Sequence, residues 1–242
     1  MKIISIIPAR GGSQSIRLKN IAKLGNKPLI YYSIKQSLRC KLIDRTIVST
    51  DNTKIAKLSL SYGAEVPFYR PKKFSKANSK DYTFLKHALD WLKEKENYIP
   101  DLIVQLRPTQ PYRTSNVISK CILKMLKDKT ADSLRTVSIP ERTPYKMWLS
   151  KGKYLEYLFK RKKAYYNEFF NLDRRKLPKV FWHDGIVDII RSKTLNKFKN
   201  VTGDKIIFLK SKNKFIIDID EKKDLRLANL LLKNKLIKLN DN

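Results

Sequence analysis

The feature that most constrains this chain is the alternation of short apolar runs with helical patterns through its first 138 residues. Ile3–Ile7 is an apolar run of the kind that forms a strand covered on both faces. A helical pattern opens at Pro28 and runs to about Arg39, with Leu29, Tyr32 and Ile34 among its apolar positions. Thr46–Ser49 reads as a second strand, and Asp51 stands where a helix N-cap belongs, ahead of Ile55, Ala56 and Leu58. Gly63 closes that helix, and Ala64–Tyr69 reads as a third strand. A helix from about Asp81 to Lys95, a strand at Leu102–Leu106, a helix from about Ser115 to Lys127 and a strand at Asp132–Ser138 follow. This rhythm predicts an α/β fold: a Rossmann-like, mostly parallel sheet flanked by helices. Ligands in such sheets bind beyond the carboxyl ends of the strands, so the loops after Ile7, Ser49, Tyr69 and Leu106 are expected to form one site.

The rhythm breaks between about residues 139 and 180. Prolines, basic runs and the aromatics Tyr145, Trp148, Tyr154, Tyr157 and Phe159 suggest a small lobe there, suited to a subunit contact. Alternation returns with Ile186–Ile190, Lys205–Leu209 and Phe215–Asp218, and a last helix is expected from about Glu221 to Lys235. The expectation is therefore one domain over residues 1–242 carrying a small lobe at about 139–180. No apolar run approaches the ~20 residues that span a bilayer. The apolar N-terminus leads into Pro-Ala-Arg-Gly-Gly and not into a cleavage site, so a cytoplasmic protein without membrane insertion is expected.

Cys40 and Cys121 form no C-x-x-C pair, and the chain has only His87 and His183. Neither a zinc site nor a Ser-His-Asp triad is suggested. The net charge of +31 attracts polyanions in general, but the lysines are spread along the chain instead of grouped in blocks. Charge alone thus selects no partner, and no specific nucleic acid is expected.

Three segments carry chemistry. In Ile7–Asn20, two of the chain's seven glycines (Gly11, Gly12) follow the first strand directly, and Arg10, Arg17 and Lys19 add cations. Glycine lets backbone amides close on an anion, and a triphosphate needs both the amides and the charge. Neither the Walker A spacing nor the dinucleotide fingerprint is present, and a Gly-Gly turn among basic residues is also an ordinary feature of so basic a chain. In Ile217–Asp220, Asp218 and Asp220 stand at i and i+2, which on a strand puts two carboxylates on one face. Such a pair suits Mg²⁺ bridging phosphates; the alternative is that it caps the following helix. In Gln105–Arg113, two prolines stiffen a loop in which Arg107 and Arg113 flank Thr109 and Gln110. That loop suits recognition of a sugar or carboxylate, or simply a rigid turn.

Together these segments resemble the acylneuraminate cytidylyltransferase family. Ile7–Asn20 is similar to its I-P-A-R-G-G-S-K-G-x-x-x-K-N motif, Val48–Asp51 to V-S-T-D, and Arg70-Pro71 to R-P. Leu106–Arg113 is similar to L-Q-P-T-S-P-L-R, Arg174–Pro178 to R-Q-x-L-P and Ile217–Asp220 to I-D-I-D, all in order along the chain. The resemblance implies a Mg²⁺-dependent transfer of CMP from CTP to the hydroxyl of an acidic 2-keto sugar, such as a sialic or legionaminic acid, with release of pyrophosphate. It implies a nucleotide site of Ala9, Arg10, Gly11, Gly12, Ser13, Gln14, Lys19, Asn20 and Arg70, with Arg10 and Lys19 on the triphosphate. It implies Asp218 and Asp220 as catalytic metal ligands, and a sugar site of Arg107, Thr109, Lys146, Arg174, Arg175 and Asp184. It also implies a homodimer formed through the small lobe.

The chain departs from the pattern at Gln14 and Ser15, where the family has lysine and glycine. Arg107 replaces the glutamine of L-Q-P-T, and the N-G-A-I-Y segment appears as His183–Asp188, with two carboxylates where sugar contacts are expected. The departures leave open transfer of guanylyl or another nucleotidyl group to a different sugar or sugar 1-phosphate. Gln14 also leaves open an inactive nucleotide-binding homologue, and the +31 charge a basic nucleic-acid-binding protein.

Overall fold

The N-terminal apolar run forms strand β1 (Ile3–Pro8), and its alternating residues enter two different cores. Side chains change face at every residue of a strand. Ile3 and Ile7 accordingly meet Ile30, Ile34, Ile55, Ile118, Ile122 and Met125. Ile4 and Ile6 meet Phe84, Leu85, Ala88, Leu92 and Leu195 on the other side. Ser5 lies between Ile3 and Ile7, and its hydroxyl bonds to that of Ser37 at 2.5 Å, which in turn bonds Thr46 at 2.7 Å. The polar interruption is thus satisfied inside the core. The computed structural model describes residues 1–159, 170–211, 217–237 and 239.

Beyond β1, a short hairpin of β2 (Lys23–Leu24) and β3 (Lys27–Pro28) turns at Gly25, whose φ of 58° is left-handed. Helix α1 (Leu29–Leu38), β4 (Arg45–Ser49), α2 (Thr53–Ser61), α3 (Asp81–Glu96), β5 (Leu102–Gln105), α4 (Ser115–Lys127) and β6 (Ser133–Ser138) follow. In the small lobe lie β7 (Trp148–Lys151) and β8 (Tyr154–Tyr157); after it come β9 (Trp182–Arg191), α5 (Ser192–Phe198), β10 (Ile206–Lys210) and α6 (Lys222–Lys233). The main sheet has the order β10-β6-β9-β5-β1-β4. β1 pairs in parallel with both β4 and β5, and β9 runs antiparallel to β5. The α/β class and the helix-flanked sheet agree with expectation.

Several local expectations differ from the structure. Helix α2 is capped by Asn52, whose Oδ1 accepts from the amides of Lys54 (3.0 Å) and Ile55 (3.1 Å), and not by Asp51. Residues 64–69 make only two bridges, Ile47 with Glu65 and Thr50 with Tyr69, because Pro67 between them has no amide to donate. The expected strand at Phe215–Asp218 begins outside the described residues, and Ile217–Asp220 is irregular. The carboxylate pair therefore does not owe its placement to a strand face. Nor does Asp220 cap α6: Glu221 does, in a reciprocal capping box with Asp224.

The chain divides into a main unit, Met1–Thr136 with Asp184–Asn242, and a small unit, Val137–His183. In the small unit β7 and β8 form an antiparallel hairpin about Gly152 (φ 60°). The Trp148 ring lies 4.9 Å from those of Tyr157 and Phe170. Trp148, Leu149, Tyr154, Leu155 and Tyr157 on the hairpin are all exposed. No described helix is long and apolar enough to cross a membrane.

Candidate active site

A cavity of about 580 Å³ opens beyond the carboxyl ends of β1 and β5, where Pro8, Arg10 and Asn20 meet Arg70, Arg107 and Thr109. The loop after β4 contributes from behind. Asp51, released from any capping duty, accepts the Gly11 amide at 2.8 Å, and Ser49 accepts the amide of buried Ala9 at 3.0 Å. The Gly11 amide is therefore committed to protein. A Cβ on Gly11 would lie 2.9 Å from both Cβ and Nδ2 of Asn52, whereas one on Gly12 would meet nothing within 4 Å. Gly11→Ala should displace the α2 cap at a cost of about 1 kcal/mol, lowering the thermal midpoint by roughly 2–4 °C. Gly12→Ala should leave it unchanged, and melting curves of the two variants check the contrast.

Leu18 takes a left-handed φ of 49°, and one 3-10 turn at Lys19–Ile21 follows it. That reversal returns Asn20 to Arg10, whose carbonyl accepts from Asn20 Nδ2 at 2.9 Å. Asn20 is buried, so it fixes the arginine's main chain as well as lining the cavity. Arg10 itself holds a buried Nη1 that has no hydrogen-bond partner. A buried cationic donor without an acceptor is costly, and an anionic ligand would satisfy it. Ser13 and Gln14 also line the cavity; Arg17 is exposed and does not.

Arg70 is buried, donates from Nε to Ser49 Oγ (3.0 Å) and from Nη2 to Ser49 O (2.5 Å), and lies 4.4 Å from the Phe84 ring centroid. Burial lowers its pKa to about 10, opposed by Asp51 and Asp81, so it stays cationic at neutral pH. Arg107 bridges two carboxylates, Asp81 at 2.6 Å and the fully buried Asp188, which also faces Arg135 at 3.3 Å. Burial works against the charge on Arg107, but attraction to Asp188 and Asp81 outweighs it and raises the pKa. Arg113 does not reach the cavity. It is fully buried and donates to the carbonyls of Arg107 (2.6 Å) and Ile186 (2.7 Å) and to Ser33 Oγ (2.6 Å), bracing the loop that carries Arg107.

The carboxylate pair is positioned by the residue between its members. Ile219 is fully buried against Ile16, Leu24, Leu29, Tyr32 and Ala228, and its amide donates to Thr109 O at 3.0 Å. Burying such a side chain stabilises by roughly 1.5–3 kcal/mol. With Ile219 anchored, Asp218 and Asp220 line the cavity on either side of it. Lys19 Nζ lies 2.7 Å from Asp220 Oδ1, and the Ser15 hydroxyl donates to the Asp220 carbonyl. Although Asp218 reaches solvent, the protein packed around it raises its pKa, and the like charge of Asp220 adds to this. A hydrogen bond with Thr109 and the cations Lys19 and Arg107 oppose the rise.

Among the described residues no three His, Cys, Asp or Glu side chains converge on one point. Two carboxylates fit a magnesium-like ion nonetheless, because such ions keep waters and take the rest of their oxygens from substrate phosphates.

The remaining expected residues belong to β9 or to the small unit. Asp184 is buried in β9, accepts from Thr136 Oγ1 (2.5 Å) and the Ile186 amide (3.1 Å), and does not line the cavity. Lys146, Arg174 and Arg175 belong to the small unit, where Arg174 donates to the Pro140 carbonyl at 2.5 Å and Arg175 pairs with Asp173 at 2.7 Å. The loop after Tyr69 was expected at the site, but its residues Phe74, Lys76, Ser79 and Asp81, which line one wall of the cavity, were not named. The signal was available: this segment follows Tyr69, one of the strand ends expected to build the site.

The cytidylyltransferase family profile matches residues 4–237. Over 130 residues the chain is 35% identical to a pseudaminic acid cytidylyltransferase of Campylobacter jejuni, covering 54% of this chain and 56% of that protein. Over 121 residues it is 36% identical to an N-acylneuraminate cytidylyltransferase of Escherichia coli, covering 50% of this chain and 27% of that one. The chain thus spans about half or less of the length of these curated relatives. Post-translational flagellin modification protein B of Campylobacter coli aligns nearly end to end, 27% identical over 242 residues and 99% of both chains. The fold is shared with CMP:2-keto-3-deoxy-manno-octonic acid synthetase solved with CTP, at a TM-score of 0.69 and 12% identity over 97% of this chain and 100% of that one. Profile, relatives and fold agree with the resemblance carried by the ordered motifs: the chain belongs to the cytidylyltransferase family.

Proposed function

We propose that the protein transfers CMP from CTP to a hydroxyl of an acidic 2-keto sugar, giving an activated sugar for surface glycan synthesis. The observation that supports this best is one cavity lined both by the unpartnered Arg10 donor and by the Asp218/Asp220 pair. Polyphosphate satisfies the first, and a divalent cation on that phosphate satisfies the second.

In this reading Arg10 and Lys19 hold the triphosphate, and Asn20 keeps Arg10 in place. Lys19 exchanges its bond to Asp220 for phosphate oxygen. Asp218 and Asp220 are the residues that would hold Mg²⁺, which when bound offsets charge on the phosphates. The sugar's anomeric oxygen forms a bond to the α-phosphorus, and the bond from that phosphorus to the bridging oxygen breaks. Pyrophosphate departs with the electron pair, while the hydroxyl proton passes to a carboxylate or to water. The chain's contribution is to align these groups and to stabilise charge as it moves onto the leaving oxygen.

Lys146, Arg174 and Arg175 are assigned to the sugar's carboxylate on the strength of the motif resemblance. The exposed aromatic hairpin β7–β8 supports a homodimer formed through the small unit. The enzyme works in the cytoplasm, where CTP is made, and takes no specific nucleic acid.

Pyrophosphate release should occur with CTP plus a nonulosonic acid and not with ATP, GTP or UTP. Absence of release with CTP across pseudaminic, legionaminic and N-acetylneuraminic acids would overturn the assignment. The replacement of the family lysine by Gln14 favours one second reading, a nucleotide-binding homologue without turnover. It predicts that CTP raises the thermal midpoint while no pyrophosphate appears.

A further inference from the structure

Gln14 leaves the phosphate loop one cation short of the family pattern, and the cavity holds a lysine that the motif does not contain. Five cations line it: Arg10, Lys19, Arg70, Lys76 and Arg107. Three are engaged by protein. Lys19 pairs with Asp220, Arg70 is bound to Ser49 over the Phe84 ring, and Arg107 lies between Asp81 and Asp188. Arg10 has its unpartnered buried Nη1. Lys76 makes no ion pair among the described residues, although Asp81, Asp218, Asp220 and Glu221 line the same cavity.

Its backbone is held by local turns. The Ser75 amide donates to Lys72 O at 3.0 Å, Ser75 Oγ donates to Pro71 O at 3.2 Å, and the Ser79 amide donates to the Lys76 carbonyl at 3.2 Å. Ser75 is itself buried, so the stem of Lys76 starts from a fixed point beside Phe74.

We propose that Lys76 binds the triphosphate of the incoming nucleotide, supplying from the 70–81 segment the cation that Gln14 does not. An ammonium on a four-carbon stem is a point charge with three donors, and it reaches phosphate from a neighbouring loop as readily as from the glycine loop. The proposal rests on the nucleotidyl-transfer reading and adds to it a residue that the motif resemblance does not contain.

Lys76→Ala should weaken CTP binding and raise KM for CTP by about tenfold or more, the value of one charge-assisted hydrogen bond. KM for the sugar should not move, and because Lys76 is exposed the ligand-free thermal midpoint should stay at the wild-type value. Gln14→Lys in the Lys76→Ala background should restore CTP binding to within a few-fold of wild type, a non-additive cycle that a merely solvated surface lysine would not give. Calorimetric titration with CTP in the presence of Mg²⁺ reads wild type, both single variants and the double variant. Gln14→Lys alone should gain less than it restores in the Lys76→Ala background. Equal affinity in wild type and Lys76→Ala overturns the role of Lys76 alone, as does failure of Gln14→Lys to restore it. No CTP binding by wild type overturns the nucleotide reading itself.

Discussion

Asp218→Asn and Asp220→Asn are each expected to lower kcat/KM for CMP transfer on the order of 10³-fold, the scale of losing one preorganised electrostatic contact in a transition state. The fold should survive both changes. Asp220 is largely exposed, and its pair with Lys19 contributes at most about 1 kcal/mol. The following helix keeps its cap, because Glu221 and Asp224 make it without Asp220. Thermal midpoints within about 4 °C of wild type are therefore expected alongside the loss of activity. Asp218 gives the prediction a pH signature. A carboxylate must be ionised to hold a cation, and the pKa of Asp218 is raised by its surroundings and by Asp220. Falling pH should remove activity sooner than an ordinary carboxylate would. Added Mg²⁺ should push that acid limb lower, since metal and proton compete for the same oxygens. Full activity in both variants refutes the assignment.

The largest effect on stability is expected from Asp188→Asn. Asp188 is fully buried and is the shared partner of Arg107 and Arg135. Removing one member of a buried ion pair leaves uncompensated charge and costs about 3–5 kcal/mol. In a chain of this size that is a fall in the midpoint on the order of 10 °C. Arg107→Gln should be milder, because Arg107 is partly open to solvent. The double variant should be more stable than the sum of the two losses predicts, because it removes both ends of one interaction. A midpoint unchanged by Asp188→Asn would show that the network contributes nothing net.

The order of strands and helices was legible because periodicity reports burial directly: Ile3 and Ile7 enter one core, and Ile4 and Ile6 the other. The candidate site's placement was legible where one residue both lines the cavity and belongs to an ordered motif, as Arg10, Lys19, Asp218 and Asp220 do. What escaped was choice among equivalent polar groups. Asp51 and Asn52 are both competent caps; Asp51 is taken up by the Gly11 amide, and Asn52 caps the helix. Two aspartates at i and i+2 suggested a strand, but a single buried isoleucine anchors them in an irregular segment. Lys76 carried no signal beyond its distance from Tyr69, because one lysine among so many has no period.

The bridge from Arg107 to Asp188 also constrains the order in which its two residues can be acquired. The family pattern places glutamine at the position of Arg107. With the glycine of N-G-A-I-Y laid on Gly185, it places tyrosine at the position of Asp188. An acid at 188 arriving first would have been a wholly enclosed carboxylate without the Arg107 guanidinium, with Arg135 3.3 Å away. An arginine at 107 arriving first would have found Asp81 at 2.6 Å and some water. The tolerable path runs arginine first and aspartate second. Sequences of this lineage should therefore include some with arginine at the first position and a neutral residue at the second, and almost none with the reverse.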